Sequence, residues 1–201
     1  MLTRLVIATH NRKKAGEMVT ILQAQFPSLQ LLTLADFESA PEPDETGATY
    51  LANATIKSES ALHFTKEWSL ADDAGLEIDA LDGAPGLFSK RFGGEDMPFP
   101  EKMARIFTLM KDVPTERRTA RFRCCVALSG PGTETVCFES TCEGRITSEQ
   151  SGSGGFGYDP IFFLPELNCT MADLTAEQKH MISHRGKVLR ALGDHLQNLR
   201  T

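Results

Sequence analysis

Residues 120–142 read ARFRCCVALSGPGTETVCFESTC, and this stretch decides which kind of sheet the chain can build. Two runs rich in apolar and β-branched residues, 120–128 and 135–142, flank the turn-forming sequence Ser129-Gly130-Pro131-Gly132. Such a pattern predicts two antiparallel strands joined as a hairpin. Because strands and helices alternate before this hairpin, the sequence predicts an α/β fold with a mixed sheet.

The alternation before the hairpin follows from hydrophobic periodicity and from breaker residues. Strands are predicted at 2–9, 29–34 and 69–71, and helices at 12–26, 48–66 and 101–110. After the hairpin, we predict a strand at 161–163, a short helix begun by a capping box at Thr175–Gln178, and a last helix that opens at Ser183. No internal repeat or linker divides the chain, so residues 1–201 are predicted to form one unit.

The composition excludes several classes of protein. The chain has 201 residues, of which 41% are hydrophobic and 24% are charged, as in an ordinary globular protein. Its net charge of −6 argues against binding to nucleic acid or to an anionic membrane, and no apolar run is long enough for a membrane span. The five cysteines are odd in number and contain no C-x-x-C pair, which predicts reduced thiols and a cytoplasmic protein.

A glycine-rich segment at 151–163, SGSGGFGYDPIFF, contains the G-x-G-x-x-G pattern of dinucleotide-binding loops. That motif requires a strand before it and a helix after it. Here a polar run precedes the glycines, and a proline-initiated aromatic stretch follows them and predicts a strand, so dinucleotide binding is disfavoured. The glycines instead let the backbone approach a ligand closely, while Phe156 and Tyr158 offer flat faces for a nucleobase. The alternative is a plain surface loop.

Acidic residues occur at two places where they could bind a metal ion or accept a proton. Asp72 and Asp73 follow the short apolar strand 69–71 and are therefore predicted at its end. Because adjacent strand residues point to opposite sides, one can bind a metal while the other accepts a proton or orients the first. Glu45, in the acidic loop 35–46, adds an oxygen ligand of the hard type that Mg²⁺ prefers. The alternatives are a capping turn at the aspartates and a merely solvated loop.

Cationic residues gather at the starts of two predicted helices. The block Thr9–Lys14 lies where the first strand meets the first helix, so it forms either a phosphate cradle or a simple helix cap. Lys179 and the segment 183–187 bring cations to the start of the last helix, where they oppose the helix dipole and therefore suggest an anionic ligand. A zinc site at His180 and His184 is disfavoured because no third ligand is apparent. Acids, cations and aromatic residues together indicate a nucleotide site.

Several motifs occur in a fixed order that is more specific than any one of them. In this order and spacing, the chain resembles the inosine triphosphate pyrophosphatase family over about residues 3 to 199. The motifs are Thr9-His10-Asn11-x-x-Lys14, Glu45-Thr46-Gly47, Asn53-Ala54-x-x-Lys57, Ala71-Asp72-Asp73-x-Gly75-Leu76, Gly83-Ala84-Pro85-Gly86 with Ser89 and Arg91, Gly154-Gly155-Phe156-Gly157-Tyr158-Asp159-Pro160, and Ser183-His184-Arg185-Gly186.

The resemblance implies an elongated α/β fold in which helices flank a mixed sheet and two lobes face a cleft. It also implies a homodimer and Mg²⁺-dependent hydrolysis of ITP, dITP and XTP to a nucleoside monophosphate and pyrophosphate. Asp73 corresponds to the proton acceptor, and Glu45 and Asp73 correspond to metal ligands. The implied substrate-binding residues are Thr9, His10, Asn11, Arg12, Lys13, Lys14, Lys57, Ala74, Arg91, Phe156, Gly157, Tyr158, Asp159, Lys179, His184 and Arg185.

Two departures from the family pattern leave alternatives open. His10 replaces a common glycine, and Ala74 replaces a common hydroxyl residue, which puts a side-chain hydrogen bond at position 74 in doubt and leaves the backbone N–H as the donor there. One alternative is a pyrophosphatase for other modified nucleotides. The other, from a different class, is a nucleotide-sensing protein that binds its ligand without turnover, and the presence of both Glu45 and Asp73 favours the enzyme over this sensor.

Overall fold

A computed structural model describes residues 2–200. Its seven strands are β1 (Arg4–Ile7), β2 (Gln30–Thr33), β3 (Ser69–Ile78), β4 (Thr119–Ser129), β5 (Val136–Ile146), β6 (Phe162–Leu164) and β7 (Cys169–Thr170). Its α-helices are α1 (Arg12–Gln25), α2 (Tyr50–Thr65), α3 (Phe99–Leu109), α4 (Ala176–Ile182) and α5 (His184–Arg200). None of these helices is long and apolar enough to cross a membrane.

All seven strands belong to one sheet with the order β2-β1-β3-β4-β5-β6-β7. Strand β1 pairs in parallel with both β2 and β3, and the connections between these strands contain α1 and α2, as parallel pairing requires. Strands β5, β6 and β7 pair antiparallel. The predicted α/β fold with a mixed sheet is therefore confirmed.

The hairpin predicted at 120–142 is present. Strands β4 and β5 are neighbours and are joined by only residues 130–135, a connection far too short for a parallel crossover. Strand β5 runs to Ile146 instead of ending at Cys142, because every second residue from Cys142 through Gly144 to Ile146 continues to face the core. A Cβ atom on Gly144 would lie 2.6 Å from the ring of Phe162, so only glycine fits there.

The prediction for the strand at 69–71 was wrong in its length. Strand β3 continues to Ile78, so Asp72 and Asp73 lie in its middle rather than at its end. Charged residues interrupt an apolar run in the sequence, but in the fold basic side chains neutralise them and Leu76 and Ile78 resume the buried pattern. The strand predicted at 161–163 is also displaced: Asp159–Ile161 forms a 3₁₀ turn, which suits the fixed φ of Pro160, and β6 follows it.

The remaining boundaries agree with the sequence to within two or three residues. Thr175 caps α4 by accepting a hydrogen bond from the Gln178 amide, and the Gln178 side chain accepts one from the Thr175 amide, as the capping box predicted. The acidic segment after a 3₁₀ turn at Leu34–Asp36 contains no helix or strand before α2. All five cysteines are free, three of them buried and two half-buried, which agrees with the prediction of reduced thiols.

The described chain divides into two compact units. The first consists of residues 2–73, 124–140 and 185–200, and the second of residues 74–123 and 141–184. The two ends of the chain meet in the first unit, where the Leu2 amide donates to the Leu199 carbonyl over 2.8 Å. The second unit has its own apolar core, built from β3, α3, β4, β5 and the glycine-rich segment, and it includes Leu76, Ile106 and Phe162.

Candidate active site

Strand β3 places two buried carboxylates side by side in the first unit. Asp72 is 1% exposed and Asp73 is 7% exposed. Because successive side chains of a strand point to opposite faces, the two carboxylates bind different partners. The alternation of side chains along a strand predicted this separation of the pair, although the pair was predicted at a strand end.

Asp72 is the centre of a buried ionic network. Its Oδ2 accepts hydrogen bonds from Nη2 and Nε of Arg185 at 2.8 and 3.2 Å, and Nζ of Lys14 lies 3.4 Å away. Arg185 also donates from Nη1 to Glu17 over 2.6 Å. Burial alone raises the pKa of Asp72, but the charges of Lys14, Arg185 and Lys57 outweigh it and hold that pKa far below its usual value. Asp72 is therefore a permanent anion.

Asp73 belongs to a second set of partners. Its Oδ1 lies 3.0 Å from Nζ of Lys57, which lies equally close to Oε1 of Glu45. Nδ2 of the Asn53 side chain donates to the other carboxylate oxygen over 3.4 Å, and Oδ1 of Asn53 accepts from the backbone N–H of Gly47 over 2.8 Å. Burial raises the pKa of Asp73 despite the nearby lysines, so this carboxylate binds a proton more readily than Asp72 does.

Both predicted metal ligands, Glu45 and Asp73, thus face one cation, the Lys57 ammonium. They come from a loop and a strand, and the Lys57 ammonium lies between their oxygens. This carboxylate pair is a chemically suitable set of ligands for a hard cation such as Mg²⁺. Among residues 2–200, no group of three or more His, Cys, Asp or Glu side chains is arranged to hold a metal ion.

The N-terminal block has the geometry of a helix cap. The side chain of Asn11 accepts hydrogen bonds from the amides of Lys13 and Lys14 at 3.0 and 3.2 Å, so these two amides are not the free donors that a phosphate cradle would need. Thr9 accepts from the Asn11 amide, and the exposed His10 ring contacts the Pro41 carbonyl at 3.3 Å. The Arg12 and Lys13 side chains are exposed to solvent, and only Lys14 reaches Asp72.

In the second unit, the glycine-rich loop encloses a buried aspartate. Oδ2 of Asp159 accepts from the Phe156 amide at 2.8 Å and from Nζ of Lys179 at 2.7 Å. The same ammonium lies 4.5 Å from the centre of the half-buried Phe156 ring. Gly155 has a φ of +67°, and a Cβ atom there would come within 2.0 Å of the Asp159 carboxylate. Three predicted binding residues, Phe156, Asp159 and Lys179, are therefore in direct contact.

Other predicted residues of the second unit have structural contacts. Tyr158 is 3% exposed, and its hydroxyl donates to the Ser89 carbonyl over 2.9 Å, so its ring is packed rather than offered to a base. The buried His184 ring stacks on Phe122 with ring centres 4.9 Å apart. The Arg91 guanidinium lies 5.7 Å from the centre of the Phe88 ring. The remaining two, Gly157 and Ala74, are half-buried, and Ala74 has no polar side-chain atom.

The structure also reveals contacts that sequence reasoning missed. Glu17 binds Arg185, and its position three residues after Lys14 on α1 could have indicated that both face the same neighbours. The Cys124 thiol lies 4.0 Å from Oδ2 of Asp72, and burial raises its pKa to about 12, which keeps it a neutral thiol. Nothing in the local sequence of Cys124 indicates this contact.

The buried network predicts a large effect on stability. Replacing Arg185 by methionine leaves Asp72 buried with Lys14 as its nearest cation, and breaking a buried ion pair in this way costs about 3–5 kcal/mol. We expect that loss in the free energy of unfolding, measured by urea denaturation. The matched control is Arg121→Met, which removes a half-buried arginine bound to Asp79 and Glu143 and should cost about 1 kcal/mol or less. Equal losses in the two variants would contradict the conclusion that the buried ion pair between Arg185 and Asp72 stabilises the fold more than the half-buried Arg121 does.

The mixed sheet and its charged interior strand β3 define an α/β protein with an ionic site, in which acids can hold a cation and lysines can bind an anion. Comparison with known proteins identifies it further. The family model described as "Ham1 family" matches residues 5–195, and the chain belongs to that family.

Its relatives match nearly the full length. The chain is 45% identical over 187 residues to a dITP/XTP pyrophosphatase of Halalkalibacterium halodurans, covering 93% of this chain and 95% of that protein. It is 44% identical over 195 residues to the dITP/XTP pyrophosphatase of Geobacter sulfurreducens, with 97% of each chain covered. A solved HAM1 protein from Coxiella burnetii superposes with a TM-score of 0.88 at 36% identity, covering 98% of this chain and 100% of that one. The resemblance drawn from the motifs is confirmed.

Proposed function

We propose that this chain hydrolyses deaminated purine nucleoside triphosphates, namely ITP, dITP and XTP, to the nucleoside monophosphate and pyrophosphate. The full-length similarity to proteins named dITP/XTP pyrophosphatase supports the substrate class. The observation that carries the chemistry is the pair of buried carboxylates on β3, one permanently ionised and one with a raised pKa. By removing such nucleotides, the enzyme would keep deaminated bases out of DNA and RNA.

In the proposed mechanism, Asp73 accepts the proton of the water that attacks the α-phosphorus, as pyrophosphate leaves in line. Its burial and its 3.0 Å contact with the Lys57 ammonium fix the position that a general base requires. Lys14 and Lys57 offset the negative charge that grows on the phosphate oxygens. Asp72 keeps Lys14 and Arg185 in place, because its charge is fixed and buried.

Mg²⁺ is the proposed cofactor, with Glu45 and Asp73 as its protein ligands. When bound, it would neutralise phosphate charge and lower the pKa of the attacking water. In the second unit, Phe156 would stack on the base, and Lys179 would supply donors oriented by Asp159. Thr9 to Lys13, Arg91, His184 and Arg185 keep their proposed roles in binding the substrate. These roles rest on the family resemblance.

The experiment that tests this proposal measures pyrophosphate released from dITP, with and without added Mg²⁺. We expect turnover that needs the metal, stops with EDTA, and continues in dithiothreitol, because the proposed ligands are oxygens and the thiols are free. Turnover that persists in EDTA would contradict the role of Glu45. Binding of dITP without any pyrophosphate release would identify a nucleotide sensor instead, and release only from other modified nucleotides would change the substrate class.

We also propose that the protein is a cytoplasmic homodimer. Free cysteines, three of them buried, are typical of a reducing compartment, which supports the location. The dimer follows from the family resemblance, and light scattering tests it, since a mass of 22.1 kDa would identify a monomer.

A further inference from the structure

Lys102, on α3 of the second unit, is a lysine that the fold buries almost completely. It is 1% exposed and ranks among the largest fully buried side chains. Burying an ammonium group is unfavourable unless it is hydrogen-bonded, and here it donates to the backbone carbonyl of Lys90 rather than to a carboxylate. Burial lowers the pKa of this amine. Such an arrangement is more costly than an apolar residue, so a specific task is indicated.

The carbonyl of the preceding residue, Ser89, is bound by the glycine-rich loop. It accepts a hydrogen bond from the Tyr158 hydroxyl over 2.9 Å. The Ser89 hydroxyl in turn accepts from the Leu76 amide at 2.9 Å and donates to the Gly86 carbonyl at 2.6 Å. Two consecutive carbonyls, at residues 89 and 90, are therefore fixed by side chains of α3 and of the glycine-rich loop. The next residue along the chain is Arg91.

Phe99 contacts both Lys102 and Tyr158, the two side chains that bind these carbonyls. Its ring centre lies 5.5 Å from Nζ of Lys102, and the ring packs edge to face against Tyr158 with centres 5.1 Å apart. A Cβ atom on Gly157 would lie 3.6 Å from the same ring, in ordinary contact. Helix α3, residues 89–91 and the glycine-rich loop are consequently one packed assembly within the second unit.

We propose that Lys102 is a positioning residue, whose buried ammonium fixes the backbone that presents Arg91 at a set distance from the glycine-rich loop. It does not touch the substrate. The effect on the substrate rests on the proposed function, in which Arg91 and Phe156–Asp159 bind the nucleotide. A flexible segment at 89–91 would have to be ordered on binding, and that ordering weakens affinity rather than the chemical step.

Two measurements on Lys102→Met test this role. Loss of one hydrogen bond from a charged donor corresponds to about a tenfold change in an equilibrium, or more. We therefore expect amide exchange at Ser89 and Arg91, whose amides bond to the Gly86 and Phe88 carbonyls, to accelerate by that factor in the nucleotide-free protein. The KM for dITP should rise by a similar factor at unchanged kcat. The variant Lys102→Gln keeps an N–H donor and should recover part of both effects.

The control is Arg105→Met, which removes an exposed cation from the same helix, near the Phe92 ring, and should change neither quantity. Unchanged exchange at Ser89 and Arg91 in Lys102→Met would overturn the proposal, as would faster exchange with an unchanged KM. If Lys102→Met does not fold, Lys102→Gln replaces it, and its smaller acceleration of exchange and smaller rise in KM must still exceed those of Arg105→Met. If the unmodified protein does not hydrolyse dITP, the proposed function fails, while the exchange measurement still decides whether Lys102 fixes this segment.

Discussion

Replacing Asp73 by asparagine is expected to lower kcat for dITP by at least ~10²-fold, which is the usual contribution of a positioned general base. The carboxylate is buried, lies 3.0 Å from the Lys57 ammonium and has a raised pKa, so it combines proton affinity with a fixed position. Asparagine has nearly the same shape and can still contact Asn53 and Lys57, but it cannot accept the proton. Binding of dITP should therefore persist in the variant.

Steady-state kinetics and nucleotide titration of the same preparation separate these two effects. Thermal unfolding of the variant shows whether the fold is retained. The matched control is Asp79→Asn, which changes an exposed aspartate paired with Arg121 and Thr119 and should leave kcat unchanged. A variant of Asp73 with nearly normal turnover would remove this residue from the mechanism, whatever the behaviour of the control.

The second large effect concerns the base. We expect kcat/KM for dITP and XTP to exceed that for dATP by up to ~10⁴-fold, because a site built from hydrogen-bond donors rejects a ligand that leaves them unpaired. Hypoxanthine and xanthine carry an acceptor oxygen at C6, where adenine carries an amino donor. Guanine shares the oxygen, so discrimination against dGTP must come from contacts around its 2-amino group.

The proposed donor is Lys179. Its ammonium is fixed between the Asp159 carboxylate and the Phe156 ring, and Phe156 can stack on any purine. The Phe156 amide donates to Asp159, so the Lys179 ammonium rather than this amide is the proposed donor to the base. Phe156→Ala should therefore raise KM for all purines, whereas Lys179→Met should reduce the preference for dITP.

The ratio of kcat/KM for dITP to that for dATP is the informative quantity, because both values come from one preparation and the folded fraction cancels. This matters for Lys179→Met, which leaves the carboxylate of Asp159 without that cation. Lys111→Met removes an exposed lysine next to Asp112 and serves as the control. Equal kcat/KM for dITP and dATP in the unmodified protein would refute the proposed specificity.

Much of this fold could be predicted because local patterns and packing agree. The hairpin at 120–142, the first two crossover helices and the capping box at Thr175 each have a strong local signal, and each is present. Strand β3 was predicted too short because its charged pair looks like a strand end in sequence. Its continuation depends on partners such as Arg185, 113 residues away, and no local pattern can supply them.

The site was predictable at the level of residue types and motif order, less so at the level of contacts. The motifs placed Asp73, Glu45 and Lys57 in one site, and these three side chains do meet in the structure. The cap formed by Asn11 was an open alternative, since the same residues could expose their amides to phosphate. The role of Lys102 had no sequence signal, because an amphipathic helix pattern does not distinguish a buried lysine from a solvated one.

The ionic network of Asp72 also constrains the order in which the protein can fold during its synthesis. Asp72 leaves the ribosome 113 residues before Arg185, which at typical elongation rates is a delay of ~6 to 20 seconds. During that interval, burial of β3 would leave Asp72 with Lys14 as its nearest cation. Burial of this strand before Arg185 is available is therefore unfavourable. The last helix delivers the missing guanidinium together with Leu199, whose carbonyl binds the Leu2 amide. Closure of the first unit around Asp72 therefore requires that the chain has been synthesised through Arg185.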